Sequence, residues 1–281
     1  MVILDGKKLA SVRIEAFKDR VSAVTGKLGR KPNLSVVLVG DDPASKVYVG
    51  HKEKQCVAAG IESTIIRLSG DISESDLASQ IETLNKSDVV DGILVQLPLP
   101  SHLKDFDPSE NILATKDVDG LTAQNMGLMI KGRAYAEPCT PKGIIALLKH
   151  YEVEMSGKKV AVLGRSQIVG WPMAWMLTRE NATVTVCHSR TKDLDKILKE
   201  SDIVVAAVGK PQFLNKDSFK EGAVVVDVGI HRLDTGKLAG DVDPVGFEEK
   251  NISYSPVPGG VGPMTVNQLL ENLIELVTLK I

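Results

Sequence analysis

Val160-Ala-Val-Leu-Gly-Arg-Ser-Gln-Ile-Val-Gly-Trp-Pro172 is the stretch on which the fold turns. An apolar run leads into Gly164, and six positions later Gly170-Trp171-Pro172 carries the punctuation of a helix start. Strand, glycine turn and helix N-terminus in that order set a dinucleotide pyrophosphate on free backbone N–H groups. The spacing departs from G-x-G-x-x-G, with five residues between the glycines. A plain strand–helix turn, using glycine only for its backbone angles, fits the same residues.

The next strand bears on the choice. Sites for NAD place an acidic residue about 20 positions on, at the ribose 2′-hydroxyl. Here the strand Thr183 to Cys187 ends in His188-Ser189-Arg190, with no carboxylate. A hydroxyl and a guanidinium suit a 2′-phosphate, because Arg forks pair with phosphate oxygens. Arg165, in the turn itself, can reach the same group. These residues favour NADP over NAD. The competing reading of Arg190 is a solvated loop charge.

Outward from this turn the chain alternates strands and helices. Leu34 to Val39, Ile61 to Leu68 and Val89 to Leu97 read as strands. Asp42-Pro43 opens a helix that Gly60 stops, and Ser73 caps another that runs to about Lys86. Beyond a boundary near Pro138 to Pro141, Thr140-Pro141 opens a helix to about Tyr151. Strands follow at Lys158 to Leu163, Thr183 to Cys187, Asp202 to Val208 and Ala223 to Ile230. Arg232 to Asp241 reads as a small hairpin around Asp234-Thr-Gly236. Thr265 is the expected N-cap of a last helix, which can pack back on the first domain. Such alternation implies α/β architecture with parallel sheets. At roughly 150 residues per domain, 281 residues imply about two domains.

Composition narrows the classes. The net charge of −2 gives no electrostatic case for nucleic acid or an anionic membrane. Cys56, Cys139 and Cys187 are scattered, which argues against a zinc site or a disulfide framework and for a reducing compartment. The apolar Met1 to Leu4 is too short for a signal-peptide core, and no apolar run approaches the roughly 20 residues of a membrane span. The expected location is the cytoplasm, with no metal.

Four further features carry candidate chemistry. Tyr48 and Lys52 share a helix face, four residues apart. Most helix lysines are solvated, but one beside an aromatic ring can carry protons where burial lowers its pKa. Gln96 sits at the carboxyl end of a strand, where open α/β sheets bind ligands; alternatively it satisfies loop backbone groups. Asp117-Val-Asp119-Gly120 is a polar turn without calcium spacing. Pro256 to Thr265 (PVPGGVGPMT) is too rich in glycine and proline for helix or strand, and lets a flat ligand approach the backbone.

Seven segments occur in one order: Tyr48-Val-Gly-His-Lys52, Val95-Gln-Leu-Pro-Leu-Pro100, Lys116-Asp-Val-Asp-Gly120, Pro138-Cys-Thr-Pro141, Gly164 to Pro172, Val226-Asp-Val-Gly-Ile230 and Pro256 to Thr265. Together they resemble the bifunctional methylenetetrahydrofolate dehydrogenase/methenyltetrahydrofolate cyclohydrolase family, over nearly the whole chain. The resemblance implies NADP-dependent oxidation of 5,10-methylenetetrahydrofolate to the 5,10-methenyl form, then hydrolysis to 10-formyltetrahydrofolate. It implies a folate-binding α/β domain over 1–139, joined by the C-terminal helix 265–281. It implies a Rossmann-like NADP domain with a parallel sheet over 140–264, and a cleft between the two. By the same resemblance Lys52 is catalytic, Tyr48 stacks on the folate, Gln96 positions or tunes the lysine and Asp119 binds the pterin. Pro258, Gly259 and Gly260 are expected at the substrate. Gly164, Arg165, Ser166, Ser189, Arg190 and Ile230 are expected at NADP. Where some members carry an arginine this chain has Ser189, with Arg190 beside it. A homodimer is implied, as is a form without the ligase domain of some relatives. Two other readings are a monofunctional dehydrogenase and a nucleotide-sensing protein without turnover. Lys52 with Tyr48 and Gln96 counts against the first, and intact Lys52 and Asp119 against the second.

Overall fold

Helix punctuation in the sequence becomes hydrogen bonds in the computed structural model, which describes the backbone of residues 1–281 and every side chain but that of Ala44. Helix α1 spans Gly6–Leu28 and strand β1 spans Asn33–Val39. Asp42 accepts the Ser45 N–H at 2.7 Å and Pro43 opens α2, Pro43–Ala59. Gly60 closes it at φ 83°, a left-handed angle that glycine takes without a Cβ clash. Then come β2 (Glu62–Leu68), α3 (Glu74–Lys86), β3 (Gly92–Val95) and α4 (Ala123–Ile130). Helix α3 is capped by Ser73, whose hydroxyl accepts the Asp76 N–H.

The three strands pair in parallel in the order β2-β1-β3, with Val36 opposite both Ile65 and Leu94. Every residue of the central β1 is buried. Ile14, Phe17 and Val21 of α1 pack with Leu34, Val36 and Leu38, and with Leu269, Leu273 and Ile274 near the C-terminus. Residues Val12–Cys139 and Val266–Ile281 thus form one unit. The sequence reading had no element for α1. Its start signal is Asp5, whose carboxylate accepts the Lys8 N–H at 2.8 Å.

The second unit comprises Met1–Ser11 and Thr140–Thr265. Its elements are α5 (Cys139–His150), β4 (Lys159–Leu163), α6 (Gly170–Arg179), β5 (Thr183–Cys187), α7 (Leu194–Glu200), β6 (Ile203–Ala206) and β7 (Val224–Asp227). A two-stranded ribbon, β8 (His231–Arg232) with β9 (Leu238–Ala239), fulfils the expected hairpin. Strand β10 (Ser253–Tyr254) and helix α8 (Val261–Thr278) follow. Five strands pair in parallel in the order β10-β7-β6-β4-β5. Sequence neighbours β4 and β5 lie on one side and β6, β7 and β10 on the other, so the strand order reverses between β4 and β6. Ligands of open α/β sheets bind at the carboxyl ends of strands at such a point.

The Leu4 N–H donates to Tyr254 O at 2.8 Å and the Tyr254 N–H to Val2 O at 3.1 Å, which pairs the N-terminus with β10. Helix α8 begins at Val261, four residues before the expected cap Thr265. Pro263 falls in its first turn, where no N–H is needed, and the Thr265 hydroxyl bonds back to Val261 O from inside the helix.

Candidate active site

In the unit built on β1, Lys52 projects from α2 and is 8% exposed. Its Nζ donates to Gln96 Oε1 at 3.0 Å. Gln96 directly follows β3; its backbone N–H donates to Val37 O at 2.9 Å, and its Nε2 donates to Leu97 O at 2.6 Å. The second bond fixes the amide, because only the oxygen can then face the ammonium group. Ser45, Val49 and Lys52, spaced four and seven apart, form a buried stripe of α2. Tyr48, one turn before Lys52, is half-buried, and burial pushes its phenol above the usual range.

The two aspartates of the polar turn separate cleanly. Asp117 is 1% exposed and its carboxylate accepts the N–H groups of Gly120 (2.9 Å) and Thr122 (2.8 Å) and the Asn125 amide (2.9 Å). It builds the turn. Asp119 takes none of those turn bonds; instead the Cys139 thiol is a partner of its carboxylate. Burial pushes that group above the ordinary carboxylate range, the Lys52 charge pulls it back down, and Asp117 adds to the rise. Lys52, Gln96 and Asp119 are therefore one electrostatic cluster, with Tyr48 on the same helix as the lysine.

Two neighbours escaped the sequence reading. The Ser45 hydroxyl is buried without a hydrogen-bond partner among the described residues. Its signal was the seven-residue spacing from Lys52. The Cys139 thiol bonds to Asp119 and to Val118 O, and the Cys139 N–H donates to Asp119 O at 3.2 Å. The Asn272 amide, on α8, donates to Val118 O and Glu137 O, both at 2.8 Å. Asp119 thus sits in a backbone held from both sides.

In the other unit, Gly164 ends β4 at φ 118°, and a Cβ there would run into the Ala207 carbonyl that follows β6. A Cβ at Gly170 would lie 2.6 Å from Arg165 Cα and would also meet the Gly164 carbonyl. The unusual glycine spacing is thus a mutual close approach at the strand-order reversal. Arg165 and Ser166 are exposed in the turn. Ser166 Oγ accepts the N–H groups of Val169 at 3.2 Å and Gly170 at 3.4 Å. The expectation of free donors at the start of α6 is corrected to that extent, since these two have an internal partner.

Ser189 and Arg190 are exposed just past β5, in a turn where the His188 N–H donates to Thr191 Oγ1 at 2.8 Å. Ile230, 47% exposed, follows β7. All six expected cofactor residues therefore lie in loops at the carboxyl ends of β4, β5 and β7 of one sheet. Pro258, Gly259 and Gly260 belong to this unit, not to that of Lys52. Their glycines have local reasons. Gly259 has φ 114° and its carbonyl accepts the Lys7 N–H at 2.8 Å. A Cβ on Gly260 would lie 2.7 Å from Ser255 Cβ.

All three cysteines are buried and unpaired by disulfide. Among the described residues no group of three or more His, Cys, Asp or Glu side chains could hold a metal. Among the described residues no helix is long and apolar enough to cross a membrane.

Residues 4–119 match the family profile described as "Tetrahydrofolate dehydrogenase/cyclohydrolase, catalytic domain", and residues 138–281 match its "NAD(P)-binding domain". The chain is 50% identical to "Bifunctional protein FolD" of Campylobacter hominis over 98% of this chain and 96% of that one. Among solved structures it is similar to the bifunctional FolD of Campylobacter jejuni, with 44% identity, a TM-score of 0.94 and full coverage of both chains. It is likewise similar to the Trypanosoma brucei FolD complexed with NADP cofactor and inhibitor, at 34% identity and a TM-score of 0.93, covering 100% and 98% of the two chains. The chain belongs to the tetrahydrofolate dehydrogenase/cyclohydrolase family.

Proposed function

We infer that the protein oxidises 5,10-methylenetetrahydrofolate with NADP and then hydrolyses the methenyl product to 10-formyltetrahydrofolate. The observation that carries this is the hydrogen bond from Lys52 Nζ to Gln96 Oε1, beside the perturbed Asp119 carboxyl. In oxidation the folate's own nitrogen stabilises the cation left when hydride departs, so the protein's task is orientation. NADP, when bound, accepts that hydride. Hydrolysis asks more. Water attacks a carbon flanked by two nitrogens and loses a proton, and one nitrogen gains a proton to leave. Lys52, held by Gln96, carries those protons. Asp119 accepts the side-by-side N–H groups of the pterin, and Tyr48 stacks on its ring.

The folate domain on this reading is 1–139 with the last helix, 265–281, and it holds Tyr48, Lys52, Gln96 and Asp119. The NADP domain is 140–264, which holds Gly164, Arg165, Ser166, Ser189, Arg190 and Ile230. The glycine close approaches suit a pyrophosphate, and Arg165 with Arg190 suits a 2′-phosphate. Pro258, Gly259 and Gly260 serve the substrate as backbone contacts; the resemblance supports that role. It also supports a cytoplasmic homodimer, and sedimentation of the purified chain reads the oligomeric state. The near-balanced charge offers nucleic acid no footing. The test is to follow methenyl formation and its hydrolysis separately, with each cofactor. Both reactions, with NADP preferred, are expected; oxidation without hydrolysis would leave a monofunctional dehydrogenase.

A further inference from the structure

One buried side chain holds two loops at the carboxyl edge of the five-stranded sheet, and the function above makes no use of it. Asp241 is 0% exposed. Its Oδ2 accepts the N–H groups of Val208 at 2.6 Å and Gly209 at 3.1 Å, and its Oδ1 that of Lys210 at 2.9 Å. The same Oδ1 meets His231 Nε2 at 2.8 Å. Residues 208–210 follow β6, and His231 follows Ile230 past the end of β7.

Asp241 is itself braced. Its N–H donates to Asp227 Oδ1 at 2.9 Å and its carbonyl accepts the Leu214 N–H at 3.1 Å. Asp227 Oδ2 takes the Val242 N–H at 3.0 Å. Next door, Gly240 has no room for a Cβ, which would run into Asp227 Oδ2. A carboxylate that gathers successive backbone N–H groups fixes a loop that would otherwise turn its donors to solvent or to an anion. Placement separates this from ordinary loop chemistry. The residue before the gathered loop, Ala207, presents the carbonyl against which Gly164 packs. The clamped loop is therefore one wall of the strand-order reversal, and the Gly164 turn is the other.

We propose that Asp241 is a positioning residue for the dinucleotide: by holding Val208–Lys210 and His231 together, it sets the wall of the cofactor site that faces the Gly164 turn. This rests on the reading that NADP lies at the reversal between β4 and β6. Asp241→Asn replaces one acceptor oxygen with an amide donor and leaves at least one clamped group unpaired. In the full chain the KM for NADP is expected to rise about tenfold or more, as the loss of one charge-assisted hydrogen bond implies. The dehydrogenase kcat at saturating NADP, and the hydrolysis of methenyltetrahydrofolate, which consumes no NADP, should each stay within about twofold. An unchanged KM for NADP overturns the proposal, and so does an equal loss of hydrolysis, which would make Asp241 a general structural residue. Should the variant not fold, hydrogen exchange of the unmodified chain decides. The Val208, Gly209 and Lys210 amides should exchange more slowly with saturating NADP, and unchanged exchange overturns the claim. Gly164→Ala separates the two layers. If it weakens NADP binding while Asp241→Asn does not, the clamp alone is wrong; if it leaves NADP affinity intact, the cofactor reading fails and the clamp with it.

Discussion

Asp119, the residue we propose for the pterin, lies two positions from an aspartate that builds the turn. That aspartate, Asp117, has its oxygens committed to Gly120, Thr122 and Asn125. Asp119→Ala should raise the folate KM by about tenfold or more, the worth of charge-assisted hydrogen bonds, and leave NADP affinity nearly unchanged. Titrating each ligand separately checks it, and an equal fall in both would make Asp119 structural. Because burial raises the Asp119 carboxyl above its ordinary range, folate affinity should weaken as pH falls, beginning above the usual carboxylate pKa of about 3.9. The dependence should vanish in Asp119→Ala. Within the sequence only the family resemblance picked out Asp119, since both residues are aspartates in one turn and only their hydrogen bonds differ. Ser45 carried one signal only, its seven-residue spacing from the buried Lys52, because a serine in a helix has no mark of burial of its own.

At the scale of elements, punctuation was legible and contact was not. Asp42, Pro43, Gly60 and Ser73 each do locally what their residue types dictate, so α2 and α3 could be read from them. Helix α8 could not be timed, because Pro256 to Pro263 reads as loop until Val261 is seen to start the helix with Pro263 inside its first turn. The cofactor turn was legible as strand–glycine–helix, yet the reason for the five-residue spacing lies in the approach of Gly170 to the Gly164–Arg165 backbone. On the proposed reading cofactor choice belongs here too, with the loop after β5 setting it. Arg190→Ala should raise the KM for NADP about tenfold or more while changing that for NAD much less. Steady-state kinetics with both cofactors give the answer, and equal effects on the two would return Arg190 to solvent.

Over the whole molecule, stability should carry the signature of the buried acid behind the Asp241 clamp. Burial, opposed by the N–H groups of Asp241, Val242 and Gly229, pushes the Asp227 carboxyl up to about 6. The folded chain then binds this proton more tightly than the unfolded one. The group's contribution is fully present below about pH 4 and is lost as pH rises through about 6. Asp227→Asn should therefore cost more stability at pH 4 than at pH 7, by up to about 3 kcal/mol. Denaturant unfolding of both proteins at the two pH values checks the sign, and a cost independent of pH would contradict it.

On the proposed reading the whole chain joins two reactions that ask different things of Lys52. Oxidation needs orientation, whereas hydrolysis needs a group that gives and takes protons. The most direct measurement is the rate of each reaction in Lys52→Met, with Lys52→Arg beside it. The account predicts that Lys52→Met loses hydrolysis altogether while NADP reduction is diminished less, and that Lys52→Arg does not restore hydrolysis. Substantial hydrolysis by Lys52→Met would remove Lys52 from the mechanism. Recovery of both activities in Lys52→Arg would reduce it to a charge that holds the folate.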